Sequence, residues 1–288
     1  MESLPEIPSP VVTVGSFDGV HVGHRVIIGR LNDLAREVHG SSVLITFHPH
    51  PRKVLYPDSA GKDLKLINSQ SEKIMLLAKT GLDHLIIMEF TPDFARTSSD
   101  DFVEHYLVGK LRAHTIVVGF NHYFGHQREG SYSSLYSARE RFGFQVEEIP
   151  EQEIQNETVS STKIRKALKE GNIQRANAYL EHHFMIRATM EPLTEQESNT
   201  GHSCFWIPLG DPMKALPPEG VYATSFSDND RYEKALVCIE EGSLELYPLD
   251  NQTFVWEGEG LIRFHKRMDG RGGSSLQLQL EAVRELIY

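Results

Sequence analysis

The sequence predicts an α/β protein, a doubly wound parallel-sheet domain followed by a smaller antiparallel β domain. Three observations carry this. Through about the first 150 residues, apolar β-rich runs alternate with helical periodicity, the pattern of a parallel sheet covered on both faces. Beyond about residue 185, short apolar runs are separated by Pro, Gly, Asp and Asn, which suits antiparallel strands. The length of 288 residues also exceeds one ordinary domain of roughly 100–200 residues. The domains are expected at 1–183 and 184–288.

The elements follow in order. Pro10–Val14 is a β-rich run ended by Gly15. Ile27, Leu31, Leu34 and Val38 then recur on one helical face, and Gly40 caps its end. Ser42–Phe47 is the second strand. Ser69 and Glu72 have the spacing of a capping box, with Ile74, Leu76 and Leu77 inside the helix and Gly81 as its stop. Leu85–Phe90 is the third strand, Phe102, Tyr106 and Leu107 mark a helix, and Thr115–Val118 is the fourth strand. Ser134–Phe142 reads as helix and Phe144–Ile149 as strand. Thr162–Leu180 is helical with a break at Gly171. In the second domain, strands are expected at Gly220–Ser225, Ala235–Ile239, Ser243–Tyr247 and Gly260–His265, with a closing helix at Leu276–Leu286. The polar stretch Glu191–His202 reads as a loop.

Composition narrows the function. Lys and Arg number 29 against 40 Asp and Glu, so the net charge is 29 − 40 = −11. No dense basic run offers the face that nucleic acid needs, so no nucleic-acid partner is expected. The longest apolar stretches, such as Leu85–Met88, fall far short of the ~20 residues that span a bilayer, so no membrane partner is expected. Cys204 and Cys238 allow at most one disulfide, and the acidic, proline-broken N-terminus has no signal-peptide character. The expected location is cytoplasmic. Oligomeric state is left open.

An anionic small molecule could still bind where glycine turns meet helix starts. The sharpest such feature is Gly15-Ser-Phe17-Asp18-Gly19-Val-His21-Val-Gly23-His24, between the first strand and first helix. Ligands of open α/β sheets bind at the carboxyl ends of strands, and helix N-termini favour anions. The glycines let backbone approach a ligand, and two histidines three apart can present ring N–H donors to one phosphate chain. Asp18 either orients the loop, holds a magnesium-bound water, or caps the turn. A second feature, Ser160-Ser161-Thr162-Lys163-Ile164-Arg165, opens a helix, where hydroxyls and amides seat an anion and Arg165 adds a charged fork.

Two loops complete the set. Phe47-His48-Pro49-His50-Pro51 follows the second strand, its prolines fixing a rigid pocket edge. A metal role for His48 and His50 lacks a third ligand. Gly119-Phe-Asn121-His-Tyr-Phe124-Gly125 follows the fourth strand, with Arg128 beyond. Asn121 could read a ring edge on which the aromatics stack, or the loop could simply pack on the sheet.

Together these four segments, in this order, resemble the bacterial bifunctional riboflavin kinase/FMN adenylyltransferases, the prokaryotic FAD synthetases. The resemblance implies a Rossmann-like nucleotidyltransferase domain with the HxGH signature, joining ATP to FMN to give FAD and pyrophosphate. By that likeness His21, His24 and Arg165 act in catalysis. Gly15, Phe17, Asp18, Gly19, Gly23, Ser161 and Thr162 bind ATP. Phe47, His48, Pro49, His50, Pro51, Asn121, Phe124 and Arg128 line the flavin and adenine pockets. Magnesium enters with ATP, and no protein metal ligand is implied.

The C-terminal third resembles the family's riboflavin kinase β-barrel through Leu216–Ala223, Leu244–Asp250 and Arg263–Met268, with Glu245 at the position of the kinase base. The Gly-x-Pro-Thr-Ala-Asn signature is missing where Ser203-Cys-Phe-Trp-Ile-Pro208 stands. In the family its threonine and asparagine contact magnesium and phosphate, so kinase activity is expected to be lost. Two alternatives stay open: another HxGH nucleotidyltransferase, or a non-catalytic flavin- or nucleotide-binding protein.

Overall fold

Continuous burial along the central strands explains the first layer structure. Strands β1 (Val11–Val14), β2 (Ser42–His48), β3 (His84–Glu89), β4 (Thr115–Gly119) and β5 (Gln145–Ile149) form one parallel sheet in the order β3-β2-β1-β4-β5. Val11 and Val117 pack on Leu31, Leu34 and Ala35 of helix α1 (Val22–Glu37). Val12, Ile116 and Val118 pack on the opposite side against Phe102, Val103, Leu107 and Leu135. A sheet buried on both faces is the doubly wound arrangement expected. Strand order reverses between β1 and β4, and at this switch point the crevice outside the carboxyl ends opens.

The computed structural model describes residues 6–120, 122–151, 153–154, 157–189, 191–193, 203–227, 232–249, 259–268 and 276–287. The chain divides into two compact units, 1–64 with 73–159, and 65–72 with 160–288. In the first, β2 runs into a short helix, α2 (Pro51–Leu55). Helix α3 (Gln70–Ala78) opens with the predicted capping box: the Ser69 amide donates to the Glu72 carboxylate at 2.9 Å and the Glu72 amide to Ser69 Oγ at 3.3 Å. The helix expected around Phe102 starts as α4 (Ser99–Asp101) and continues in π geometry over Phe102–Lys110. Its widened turn stacks Phe102 and Tyr106, 5.6 Å apart, and Phe94 meets both rings. Helix α5 (Tyr132–Phe142) ends at Gly143 in the left-handed conformation, φ 78°. A two-residue pairing of β6 (Glu153–Ile154) and β7 (Glu157–Thr158) follows β5.

The second unit begins its C-terminal segment with α6 (Ser161–Lys169) and α7 (Ile173–Leu180), separated at Gly171 as expected. Then come β8 (Phe184–Thr189), β9 (Glu191–Leu193), β10 (Cys204–Trp206), β11 (Gly220–Ser227), β12 (Tyr232–Glu240), β13 (Ser243–Pro248) and β14 (Glu259–Arg267). They form one antiparallel sheet in the order β8-β14-β11-β12-β13-β10-β9. β8 and β9 are one residue apart in sequence yet lie at opposite edges. The sheet must therefore curl, which gives the expected barrel-like domain. Helix α8 (Leu276–Leu286) sets Leu280 and Val283, with Ile287 just beyond, on Ala223, Leu236 and Tyr247.

One reading changes. Glu191–Leu193 is a strand paired with β10 rather than the start of a loop, because its backbone completes the sheet edge; residues 194–202 lie outside the described residues. Cys204–Trp206 is also a strand, pairing Phe205 with Leu246 and Trp206 with Glu245.

Candidate active site

The turn after β1 is built from unfavourable backbone. Phe17 (φ 48°), Val20 (φ 42°) and Gly19 (φ 95°) all take positive φ, and for a β-branched valine that is a costly state. The surroundings hold it there. The Gly15 amide donates to the Ile45 carbonyl at 3.0 Å, and Phe17, Val20 and Asp18 are buried. A Cβ on Gly15 would come within 2.9 Å of the Phe17 ring, so only glycine fits there. A Cβ on Gly23 would press on the His21 ring at 3.3 Å.

His21 ends this turn as the N-cap of α1. Its ring stacks on His24 at 3.7 Å with an interplanar angle of 17°, and Phe17 closes the other side of His24 at 4.7 Å. The Nδ1 of His24 is buried with no hydrogen-bond partner among the described residues. Burial first, then His21 and Lys73, hold the His24 pKa well below its ordinary value. At neutral pH His24 is therefore a neutral imidazole, a hydrogen-bonding group rather than a cation.

Lys73 is the residue that sequence reasoning missed. It is buried, and its ammonium donates to the Ser16 carbonyl at 3.3 Å, Thr46 Oγ1 at 3.2 Å and the Phe47 carbonyl at 3.5 Å. Thr46 Oγ1 donates to the same Ser16 carbonyl at 3.1 Å. Burial lowers the Lys73 pKa to about 8, with Asp18 opposing the shift. Nothing in the helical periodicity of α3 distinguishes this lysine. Only the pairing of β1 with β2 brings Ser16 and Thr46 to it.

The two loops expected to line the flavin and adenine pockets are joined by aromatic rings. Phe47 touches Phe90 and Phe94, Phe94 touches Phe102, and Phe102 touches Phe124, at 5.4–6.1 Å between ring centres. His122 stacks on Phe124, and burial lowers its pKa to about 4. Phe120 and Tyr123 remain half exposed at the carboxyl end of β4. Arg128 lies over the Tyr123 ring at 4.7 Å. His50 Nδ1 accepts the Arg52 amide, capping α2, with Pro51 as the first helical residue and His48 and Pro49 leading into it. Asn121 lies outside the described residues.

The structure brings Gly15, Phe17, Asp18, Gly19, His21, Gly23 and His24 into one turn. Ser161, Thr162 and Arg165 stand at the start of α6, in the other unit, where Ser160 Oγ accepts the Lys163 amide at 3.4 Å as the N-cap. The arrangement in the first unit can seat an anion between backbone amides and two imidazoles in a crevice with an aromatic wall. Among the described residues no three His, Cys, Asp or Glu side chains group as metal ligands, and no helix is long and apolar enough to cross a membrane.

Comparison with known proteins agrees with this geometry. The family model described as FAD synthetase matches residues 5–163. The bifunctional riboflavin kinase/FMN adenylyltransferase of Listeria monocytogenes is 29% identical over 285 residues, 94% of this chain and 89% of that protein. The protein of the same description from Bacillus subtilis is 28% identical over 90% of this chain and 84% of its own length. That from Escherichia coli K12 is 30% identical over 74% and 66%. A crystal structure described as a macrolide-efflux protein from Streptococcus pneumoniae superposes with a TM-score of 0.83, covering 97% of this chain and 93% of that one. Its 24% identity establishes likeness of fold alone.

Proposed function

Because this chain belongs to the FAD synthetase family, we propose that it transfers AMP from ATP to FMN, giving FAD and pyrophosphate, and that its second domain has lost riboflavin kinase activity. The observation that carries the first part is the strained His21–Gly23–His24 turn at the switch point of the parallel sheet. The FMN phosphate is already ionised at neutral pH, so no general base is needed. The phosphate oxygen attacks the α-phosphorus in line, and the protein's task is positioning and charge stabilisation. His21 and His24 act as donors toward the phosphates on the leaving side, while backbone amides at the start of α1 face the same anion. Lys73 holds the turn from beneath through Ser16. By the family resemblance Ser161 and Thr162 bind ATP and Arg165 acts in catalysis, so the transferase function is assigned to residues 1–183. The aromatic wall from Phe47 to Phe124, with the exposed Phe120 and Tyr123, suits a flat flavin ring.

Magnesium enters as the complex with ATP. The donor set fits this role, since Asp18 is the one carboxylate within the turn and Mg²⁺ usually keeps waters and substrate phosphates as its ligands. The metal neutralises phosphate charge; the residues named above do the orienting.

Loss of the kinase is supported by what replaces its signature. Cys204, Phe205 and Ile207 are buried within and beside β10, a packed strand. Glu245, at the position of the base, stands opposite Trp206 and accepts the Tyr247 hydroxyl at 2.7 Å. The β12–β13 connection is a tight turn with Glu241 (φ 50°) and Gly242 (φ 78°), leaving no glycine-rich loop to close on a nucleotide.

The test is incubation of purified protein with FMN, ATP and magnesium, with flavins separated by chromatography. FAD is the expected product. Tight binding of both substrates with no FAD would favour a non-catalytic binding protein, and turnover with a different phosphate acceptor would favour another HxGH transferase.

A further inference from the structure

A second group of basic side chains lies in the antiparallel sheet, remote in sequence from the four segments assigned to adenylyl transfer. On β14, Arg263 stands opposite Ser225 of β11 and Met185 of β8. The Arg263 guanidinium donates to Ser227 Oγ at 2.7 Å. One step along, a β-bulge interrupts the β11–β14 register and leaves His265 without a partner in the ladder. The bulge turns its ring so that Nε2 lies 2.8 Å from Oγ of the fully buried Ser225. His183, just before β8, brings its ring to 4.2 Å from that of His265.

Three basic groups thus face one another with two hydroxyls between them. Among the described residues Arg263 has no carboxylate partner, although it is only half exposed. Burial and the neighbouring His183 and Arg263 lower His265 to about 4, and burial and Arg263 lower His183. A half-buried guanidinium is ordinarily balanced by an acid, because removing a lone charge from water is costly. The charged groups on adjoining strands do not balance it. Arg187 of β8 is paired with Glu259 of β14 at 2.5 Å. Lys234 of β12, opposite Ser225, adds a further cation and donates to the Arg284 carbonyl of α8 at 3.0 Å. Glu233 is opposite Phe226, one position out of phase with Ser225 and Ser227 along β11, so strand alternation places it on the reverse face. Tyr232, opposite Ser227, is exposed and brings no carboxylate.

We propose that Arg263, His265, His183, Ser225 and Ser227 form a binding site for a doubly charged oxyanion of the phosphate class. The guanidinium offers a fork, the hydroxyls and imidazoles offer single donors, and the half-exposed rim leaves a path for the ligand. Such an anion reverses the sign of the field at the imidazoles. Binding therefore takes up protons, and affinity rises as the pH falls. The site is independent of the transfer reaction, since none of its residues belongs to the turn or loops of the first unit.

The test follows the imidazole Cε1–H resonances of the full-length protein by NMR during titration with sulfate, whose charge is constant with pH. Chloride at equal ionic strength is the control, and His183→Asn and His265→Asn assign the signals. Saturable shifts of both resonances are expected at millimolar sulfate, with binding tightening about tenfold for each pH unit by which the anion raises an imidazole pKa. Arg263→Gln should weaken binding at least about tenfold, as expected for loss of a charge-assisted pair. If that variant does not fold, Ser227→Ala, which frees the guanidinium from its anchor, should weaken binding in its place. Inorganic phosphate and FMN should compete with sulfate at these signals, whereas riboflavin, which has no phosphate, should not. Shifts reproduced by chloride, absence of saturation, or undiminished binding in a folded Arg263→Gln protein would each overturn the proposal.

Discussion

The ammonium of Lys73 lies 3.3 Å from the carbonyl oxygen of Ser16, directly beneath the turn that carries both histidines. A buried cation is thereby spent on holding backbone in place, and it also sits close enough to His24 to lower that imidazole's pKa.

The charge on Lys73 should be visible in the pH profile. With its pKa at about 8, kcat/KM for MgATP is expected to fall as the pH rises through that value, and this limb should vanish in Lys73→Met. The stability effect has the opposite sign. A lysine pKa lowered by folding means that the unfolded chain binds more protons between about 8 and 10.5, so this group's contribution to stability rises across that window. The gap corresponds to about 3 kcal/mol. Denaturant titrations of wild type and Lys73→Met across the window should differ by a part of that size; parallel curves would refute the assignment.

His24→Ala should lower kcat by about 10²–10³ with little change in FMN affinity, the range for removing a preorganised stabilising donor. Since the His24 pKa is held well below 6.5, the folded protein resists protonation there. The stability it contributes is fully present above about 6.5 and is lost as the pH falls toward the folded value. Steady-state kinetics and acid-unfolding curves of the two proteins test both halves; an unchanged kcat would reject its role in the transition state.

Glu72 and Lys214 form a buried ion pair at 2.5 Å within the second unit. Glu72 also accepts the amides of Ser69 and Arg187, and Lys214 also donates to the Ile67 and Met185 carbonyls. Lys214→Met should destabilise that unit by about 3–5 kcal/mol because it strands a buried carboxylate. Adding Glu72→Gln should restore part of the loss. Urea midpoints of the single and double variants measure the coupling, and additive losses would contradict it.

Riboflavin should not be phosphorylated by this chain at high enzyme concentration with MgATP. Phosphoryl transfer depends on holding metal, nucleotide and hydroxyl in line, and β10 presents packed apolar residues instead. Multiple turnovers abolished by Glu245→Gln would mean that another segment supplies the missing ligands.

The alternation of the parallel strands with their main helices in the first domain, the histidine turn and the capping box at Ser69 were legible in the sequence, because periodicity, glycine placement and caps are local properties of the chain. The strand character of Glu191–Leu193 was not, since a three-residue run holding a glutamate and a proline becomes strand only when a partner edge supplies the hydrogen bonds. The π geometry after Phe102 likewise depends on rings contributed by other segments. Lys73 shows the limit most clearly. Its sequence neighbours mark an ordinary helix position, and its function as a prop exists only because parallel pairing sets Ser16 beside Thr46. The cluster of Arg263 with His265 and His183 has the same origin, for strand register brings β14, β11 and the residue before β8 together. Local propensity determined the elements; burial and strand register, which join residues far apart in the chain, decided which charges meet and how their proton affinities shift.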